Sequence, residues 1–159
     1  MGEEAFVAFV RDASERLMFQ RALEKSEARF AAFMDNSPFI AWVKDSQGRH
    51  EYVSRASEQG FGIAAEDLVG KTDFDFWSTE IAESNRETDL QVWDSGEAIT
   101  FELAHPLPTG QVKDWYIVKF PFNVNEDETL LGGIAVDMSG QRRAESERDR
   151  FFETSSDMM

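Results

Sequence analysis

Gly70-Lys71-Thr72 has the residue order that closes a phosphate-binding loop, where glycine backbone N–H groups cradle the phosphate and a lysine reaches it. That loop needs a glycine five residues before Gly70, and the position holds Ala65. The triplet therefore reads as a turn before a short capped helix. Asp73 and Asp75 are spaced like the first two ligands of a calcium loop, yet Phe76 and Trp77 stand where polar residues or ligands belong. Acids at a helix start, favoured there by the helix dipole, account for the pair more simply. No Gly-x-Ser-x-Gly elbow occurs, and the sequence contains no cysteine, which removes disulfides, thiolate metal sites and cysteine nucleophiles. With no nucleophile–base pair, metal set or phosphate loop left, neither catalysis nor a metal site is expected.

There are two histidines. His50 precedes Glu51 in residues of strand texture, without the helical surroundings of a phospho-accepting histidine. His105 shares strand parity with Phe101 and Leu103, which would turn it toward a cavity mouth. As a lone imidazole before Pro106 it also reads as an edge-strand residue with a satisfied hydrogen bond. Aromatic residues are the one excess, with four Trp and fourteen Phe. Trp42, Tyr52, Phe74, Trp77, Trp93, Phe101 and Tyr116, together with His105, are candidates to line a pocket for a flat or apolar ligand. The same side chains would equally fill that space as core, and the sequence leaves both readings open.

The formal charge is −15, and from Asp73 to Glu97 eight acids face one base, Arg86. Such a surface repels phosphate backbones and anionic lipid, so neither nucleic-acid nor membrane contact is expected of this chain. No apolar run approaches the ~20 residues of a membrane span, and no signal-peptide plan opens the chain. A cytoplasmic piece of a longer protein is expected.

These residues must be held by elements that the chain spells out in order. Gly2 to Val10 reads as a strand, and Ser14 as the cap of a helix over Glu15 to Met34. Phe19, Leu23, Ser26, Phe30 and Phe33 alternate in spacings of four and three, the seam of a short coiled coil that Arg16 and Ser26 weaken. Ser37-Pro38 ends it. Phe39 to Lys44 and His50 to Val53 read as a hairpin around the turn Asp45-Ser46-Gln47-Gly48. Short helices follow from Ser54, the longest being Glu80 to Trp93, with Ile81, Leu90 and Trp93 as its inward candidates. Strands are expected at Ala98 to Ala104, Val112 to Phe122 and Leu130 to Val136.

One sentence of sequence occurs twice. Phe6 to Ser14 and Leu130 to Ser139 each read as an apolar strand, an Asp, a Ser two residues on, and a charged helix reaching an Arg-Phe pair, Arg29-Phe30 and Arg150-Phe151. Asp137-Met138-Ser139 resembles the Asp-Ile-Thr signature that ends PAS domains. Ala41 to Arg49, Tyr52 to Ala56, Gly70 to Trp77 and Trp115 to Pro121 carry the same resemblance in the right order, from about Phe30 to Ser139.

The resemblance implies an α+β PAS fold. Its five-stranded antiparallel sheet has short helices on one face and is flanked by N- and C-terminal signalling helices. The implied organisation is residues 1–12 as the last strand of a preceding PAS-like module, 13–35 as a coiled-coil linker helix, and 36–139 as the PAS domain. Residues 140–159 would form an outgoing helix and the start of a further module. It also implies a non-catalytic sensory and signal-transfer role within a bacterial signalling protein, a sensor histidine kinase first and a cyclic-dinucleotide enzyme next, or alternatively a ligand-free dimerisation spacer. The chain would form a homodimer through flanking helices and sheet, beside neighbouring PAS and output domains. Asp137, pinned by hydrogen bonds or by an Arg such as Arg142, would pass the signal with Met138 and with Ser139 capping the outgoing helix. The long helix has no haem-ligating His and no cysteine can add to a flavin, so no cofactor is assigned.

Overall fold

The computed structural model describes residues 2–107, 109–125 and 128–156. The chain divides into two units, residues 1–36 and 37–159.

The first unit is a single helix, α1 (Gly2–Asp35). Gly2 to Val10 lies inside it, so the strand expected there does not form, and Ser14 is an interior position instead of a cap. A strand would need neighbours for its backbone groups, whereas a helix satisfies them along its own length. No Gly or Pro interrupts the run from Glu3 to Asn36. Much of its apolar surface is open: Phe9 and Phe19 are 71% and 75% accessible, and Leu23, Phe30 and Phe33 are exposed as well. Arg16 pairs with Asp12 one turn away at 3.0 Å.

The second unit follows the expected element order. β1 (Ile40–Lys44) and β2 (His50–Val53) form the hairpin, and α2 (Ala56–Phe61), α3 (Ala65–Leu68) and a 3₁₀ turn (Asp73–Asp75) lead to α4 (Thr79–Ser95). β3 (Ile99–Pro106), β4 (Val112–Asn123), β5 (Thr129–Asp137) and α5 (Ser139–Ser156) complete it. The strands form one antiparallel sheet in the order β2-β1-β5-β4-β3. The hairpin turn is held by Asp45, whose Oδ1 accepts from the backbone N–H of Gln47 at 2.9 Å and of Arg49 at 2.8 Å. Arg150 and Phe151 continue α5, but their side chains, and Asp157 to Met159 of the expected further module, lie outside the described residues. Among the described residues no helix is long and apolar enough to cross a membrane.

Strand alternation gives the sheet two faces. Register across β1, β5, β4 and β3 puts Trp42, Gly133 and Lys119 in one row and Ile40, Ala135, Ile117 and Phe101 in the next. The core gathers on this face, where α2, α3 and α4 lie against β1, β2 and β4. In α4 the inward positions are Ala82, Asp89 and Val92, whereas Leu90 is exposed. The expected face was turned by about one residue because a small residue and an acid point inward.

An irregularity between Val43 and Lys44 sets Lys44 opposite His50 while Trp42 stays opposite Val53. Three residues of β1 therefore face four of β2, so His50 and Val53 both turn to the core face and Tyr52 is carried to the other.

Gly133 lets two layers close. A Cβ there would come within 2.5 Å of Trp42 Nε1 and closer still to the ring carbons, so the indole lies directly on β5. Gly133→Ala is expected to push the ring away and cost about 1–3 kcal/mol, as overpacking does. Urea unfolding monitored by tryptophan emission checks this, and an unchanged midpoint would show the ring free to shift.

Candidate functional site

β1 and β4 each place a lysine at a core position, two residues beyond Trp42 and Ile117. Lys44 and Lys119 are 4% and 2% accessible, and a buried ammonium is costly unless it is paired. The partners come from the helical layer. Lys44 Nζ lies 2.7 Å from Asp73 Oδ2 and 2.8 Å from Asp89 Oδ2. Lys119 Nζ donates to Asp89 Oδ1 at 2.5 Å, Thr88 Oγ1 at 2.7 Å and the Asn85 carbonyl at 3.1 Å. His50 Nε2 lies 2.9 Å from Asp73 Oδ1. A carboxylate only accepts, so Asp73 fixes the proton on Nε2. The result is one buried ladder, His50–Asp73–Lys44–Asp89–Lys119.

The ladder tunes its members. Burial pushes the Asp73 carboxyl up, but the His50 hydrogen bond and the Lys44 charge reverse this and hold it far below the usual carboxylate range. Burial lowers Lys44, and the two carboxylates beside it more than compensate. At Lys119 burial wins, with Asp89 opposing it only in part, and the ammonium is less basic than normal. Asp75 is separate: it accepts from the N–H and hydroxyl of Thr72 at 2.7 and 2.9 Å in a capping box. Among the described residues no group of acids and histidines could hold a metal ion.

Beside the ladder is a small cavity of about 50 Å3 that opens to solvent. Its wall includes Trp42, Phe61, Phe76, Trp77, Trp115 and the ladder residues Lys44, His50, Asp73 and Lys119. Phe61 packs on Trp115 and Trp77 at ring separations of 5.2 and 5.4 Å, and Trp77 on His105 at 4.7 Å. Four buried ring nitrogens of the lining residues have no partner among the described residues: Trp42 Nε1, Trp115 Nε1, His50 Nδ1 and His105 Nε2.

Of the candidates read from the sequence, Trp42, Trp77 and His105 line the cavity. His105 is also the edge-strand residue expected, its Nδ1 bonded to the Pro106 carbonyl at 2.7 Å. Phe101 packs against the core and under Lys119, 5.8 Å from ring centre to Nζ. Tyr52 and Tyr116 lie on the opposite face of the sheet, Phe74 is exposed, and Trp93 is half-buried away from the cavity. The sequence reading missed Trp115 and the whole ladder. The parity of Lys44 with Trp42 and of Lys119 with Ile117 was the available signal.

The junction to α5 also differs in detail. Asp137 pairs with Lys113 at 3.0 Å and accepts from the Ser139 N–H at 2.9 Å, so it starts the helix itself. Partial burial raises Asp137, and these contacts bring it below its ordinary value. Ser139 Oγ does not cap; it accepts from the Asp114 N–H at 3.0 Å. Arg142 bonds Asp114 at 3.2 Å and pairs with Glu102, not with Asp137. The Ser54 hydroxyl, read as a helix start, instead accepts from the Ala41 N–H at 2.9 Å and ties β1 to β2.

The fold is shared with known proteins. The family described as PAS fold matches residues 34–143. The chain belongs to the PAS fold family. Over 87% of its length it is 31% identical to the uncharacterised protein y4lL of Sinorhizobium fredii and 30% identical to the methanogenesis regulatory histidine kinase FilI of Methanothrix harundinacea. It spans 17% and 16% of those proteins, about a sixth of each. The solved PAS domain of BvgS from Bordetella pertussis superposes with a TM-score of 0.62 at 22% identity, covering 83% of this chain and 98% of that one. PAS domains are in general non-catalytic sensory modules, in keeping with the lack of catalytic machinery read from the sequence.

The buried Asp73 of this PAS domain gives a signed pH dependence. Its folded pKa lies below the unfolded value of about 3.9, so its contribution is complete above that pH and is lost as pH falls below it. Asp73→Asn is expected to lower stability by about 3 kcal/mol at pH 6. The gap between wild type and variant should narrow below about pH 4, which urea titrations at pH 6, 4 and 3 read out. A gap independent of pH would mean that Asp73 is not held ionised by the ladder.

Proposed function

We propose that this chain is a non-catalytic sensory and signal-transfer module of a larger signalling protein of the histidine kinase kind. In this reading the PAS domain occupies residues 36–139 between a linker helix at 13–35 and an outgoing helix from 140. The likeness to FilI supports the parent class. A cytoplasmic address suits such an output.

The observation that carries the reading is that one strand serves both cavity and exit. β4 lines the cavity with Trp115, Ile117 and Lys119. The residues just before Trp115 hold α5: the Asp114 N–H donates to Ser139 Oγ, its carbonyl accepts from the Met138 N–H at 2.8 Å, and Lys113 pairs with Asp137. Arg142 adds Glu102 of β3, the neighbour of the lining residue Leu103. A ligand that displaces Trp115 shifts, one residue away, the atoms on which α5 is hung. Direction is thereby transmitted by covalent continuity, with no rearrangement of the core.

Asp137→Ala removes the acceptor of the Ser139 N–H and the partner of Lys113. The expected outcome is loss of coupling between stimulus and output in the parent protein, with domain stability reduced by no more than about 1 kcal/mol, as for loss of a cap. Faster amide exchange at residues 138–142 in the isolated chain should accompany it. Unchanged exchange there together with unchanged signalling would count against the mechanism.

A second reading, a spacer that only dimerises its neighbours, is favoured by the open apolar row on α1. The proposed partner is a second copy of this chain, joined through Phe19, Leu23, Phe30 and Phe33. Leu23→Glu places an unpaired charge in that seam and should weaken self-association by about tenfold or more in sedimentation equilibrium. A dimer indifferent to the substitution would be held elsewhere and would remove the support for the spacer.

A further inference from the structure

Arg86 is the one base among the eight acids from Asp73 to Glu97, and α4 turns it toward the β1–β2 turn instead of pairing it with them. Its Nη2 donates to the Ser46 carbonyl of that turn at 3.1 Å. Its Nη1 lies against Gly48, where an added Cβ would stand 3.3 Å away. Gly48 has a φ of +81°, a conformation that glycine adopts without strain, so the backbone can come this close. Nη1 is buried and has no hydrogen-bond partner among the described residues. Among those residues no carboxylate forms an ion pair with Arg86 either. A buried N–H without an acceptor is costly, and more so when it belongs to a cation.

The guanidinium lines a second small cavity, bounded by the β1–β2 turn, the 3₁₀ turn and α4. Lys44 and Asp73 are the only side chains it shares with the aromatic cavity, so they stand between the two. The charges around it do not cancel. Asp73 and Asp89 are the acids on its wall, and each of their oxygens is already taken by Lys44, Lys119 or His50. Lys44, Lys119 and Arg86 set three cations against these two carboxylates. Arg86 Nη1 keeps both of its N–H groups, and Lys44 keeps one beyond its two ion pairs. One positive charge and three donors are left over. At about 50 Å3 the space holds roughly three or four water-sized groups.

We propose that this second cavity binds a small monovalent oxyanion of the formate, nitrate or bicarbonate kind, held by Arg86 Nη1 and Lys44 Nζ beneath the β1–β2 turn. Hydrogen bonds from a cation to an anionic oxygen are the strong ones, and a planar oxyanion offers acceptors in more than one direction. A single negative charge balances the surplus. A second charge would face Asp73 and Asp89 with nothing left to neutralise it, and tetrahedral sulfate or phosphate is larger than the space. The exposed acids of α4, Glu80, Glu83 and Glu87, repel anions from outside, but salt confines that repulsion to about 8 Å under physiological conditions. Once bound, the anion ties α4 to the hairpin at the Lys44 end of the ladder. The site goes beyond the sensory reading and does not depend on it.

Replacing chloride by formate or by sulfate at constant ionic strength, in 1H–15N spectra of the full chain, tests the site. Formate is expected to move the Arg86 Nε–H and the backbone N–H resonances of Gln47, Gly48 and Ala82 saturably. Sulfate should act at least about tenfold more weakly. The indole N–H resonances of Trp42 and Trp115, which belong to the aromatic cavity, should stay in place. Arg86→Gln removes the charge and Nη1 together and should weaken formate by about tenfold or more, with circular dichroism confirming that the variant folds. No saturable response to formate, a preference for sulfate, or an equal response in Arg86→Gln would each overturn the proposal. So would shifts confined to the two indoles, which would put the anion in the other cavity. Should Arg86→Gln not fold, the wild-type spectra decide alone: saturable shifts at Gln47, Gly48 and Ala82 uphold the site, and shifts elsewhere overturn it.

Discussion

Two lysines buried in an apolar sheet set a condition that the helical layer must meet. Lys44 and Lys119 cannot remain charged without acids, and the acids are supplied by a 3₁₀ turn and by α4, remote in sequence from both strands. Asp89 bridges the two lysines, one carboxylate oxygen to each, so α4 has one position along the sheet that satisfies both. Asp73 likewise has one position that serves Lys44 and His50 together. A purely hydrophobic contact between these layers would hold them as firmly and allow them to slide. Ion pairs in low dielectric contribute little net stability, but they penalise every arrangement that leaves one partner alone. The ladder is best understood as the feature that fixes register between helices and sheet, and the cavity exists because that register is fixed.

The same constraint divides labour across the sheet. Around β5 the core face is thin where Gly133 and Ala135 stand, and Trp42 lies over it; larger residues there would close the space. At the charged end of the cavity the two lysines are met by two aspartates, and the rest of its wall is aromatic and apolar. β4 joins the cavity wall to α5, because Lys113 and Asp114 hold that helix immediately before Trp115 enters the core. The lining residue Trp115 and the residues that hold α5 are neighbours on one strand.

Much of this domain was legible in the sequence. Apolar runs between turn residues marked all five strands to within two residues at each end, and the Asp45 to Gly48 turn marked the hairpin. The PAS architecture followed from the resemblance of Asp137-Met138-Ser139 and the motifs before it to that family, with the order of the runs in agreement. The failures are equally specific. Gly2 to Val10 has strand-like composition, but composition does not record whether a neighbouring strand exists to pair with it. Tyr52 was placed in the pocket because the extra residue opposite Val43 and Lys44 leaves no mark in residue type, yet it reverses side-chain parity. Tyr116 was preferred to Trp115 although the two differ by one position, and one position is a change of face. Asp137 accepts a hydrogen bond, one of the two ways of pinning it read from the sequence, but its ion pair is with Lys113, and Arg142 turns toward Asp114 and Glu102.

The sequence by itself determined the local quantities: which segments alternate, where glycines and aspartates turn the chain, that no thiol or phosphate loop is available, and that the chain carries an excess of rings. Those depend on neighbours within a few residues, and periodicity reports them. Only the tertiary structure decided that Lys44, His50, Asp73, Asp89 and Lys119 form one ladder, that four ring nitrogens surround a single cavity without partners among the described residues, and that the exit helix is held by β4. Each of these joins residues brought close only when helices pack on the sheet. Such pairings are set by register and packing, which no local pattern encodes.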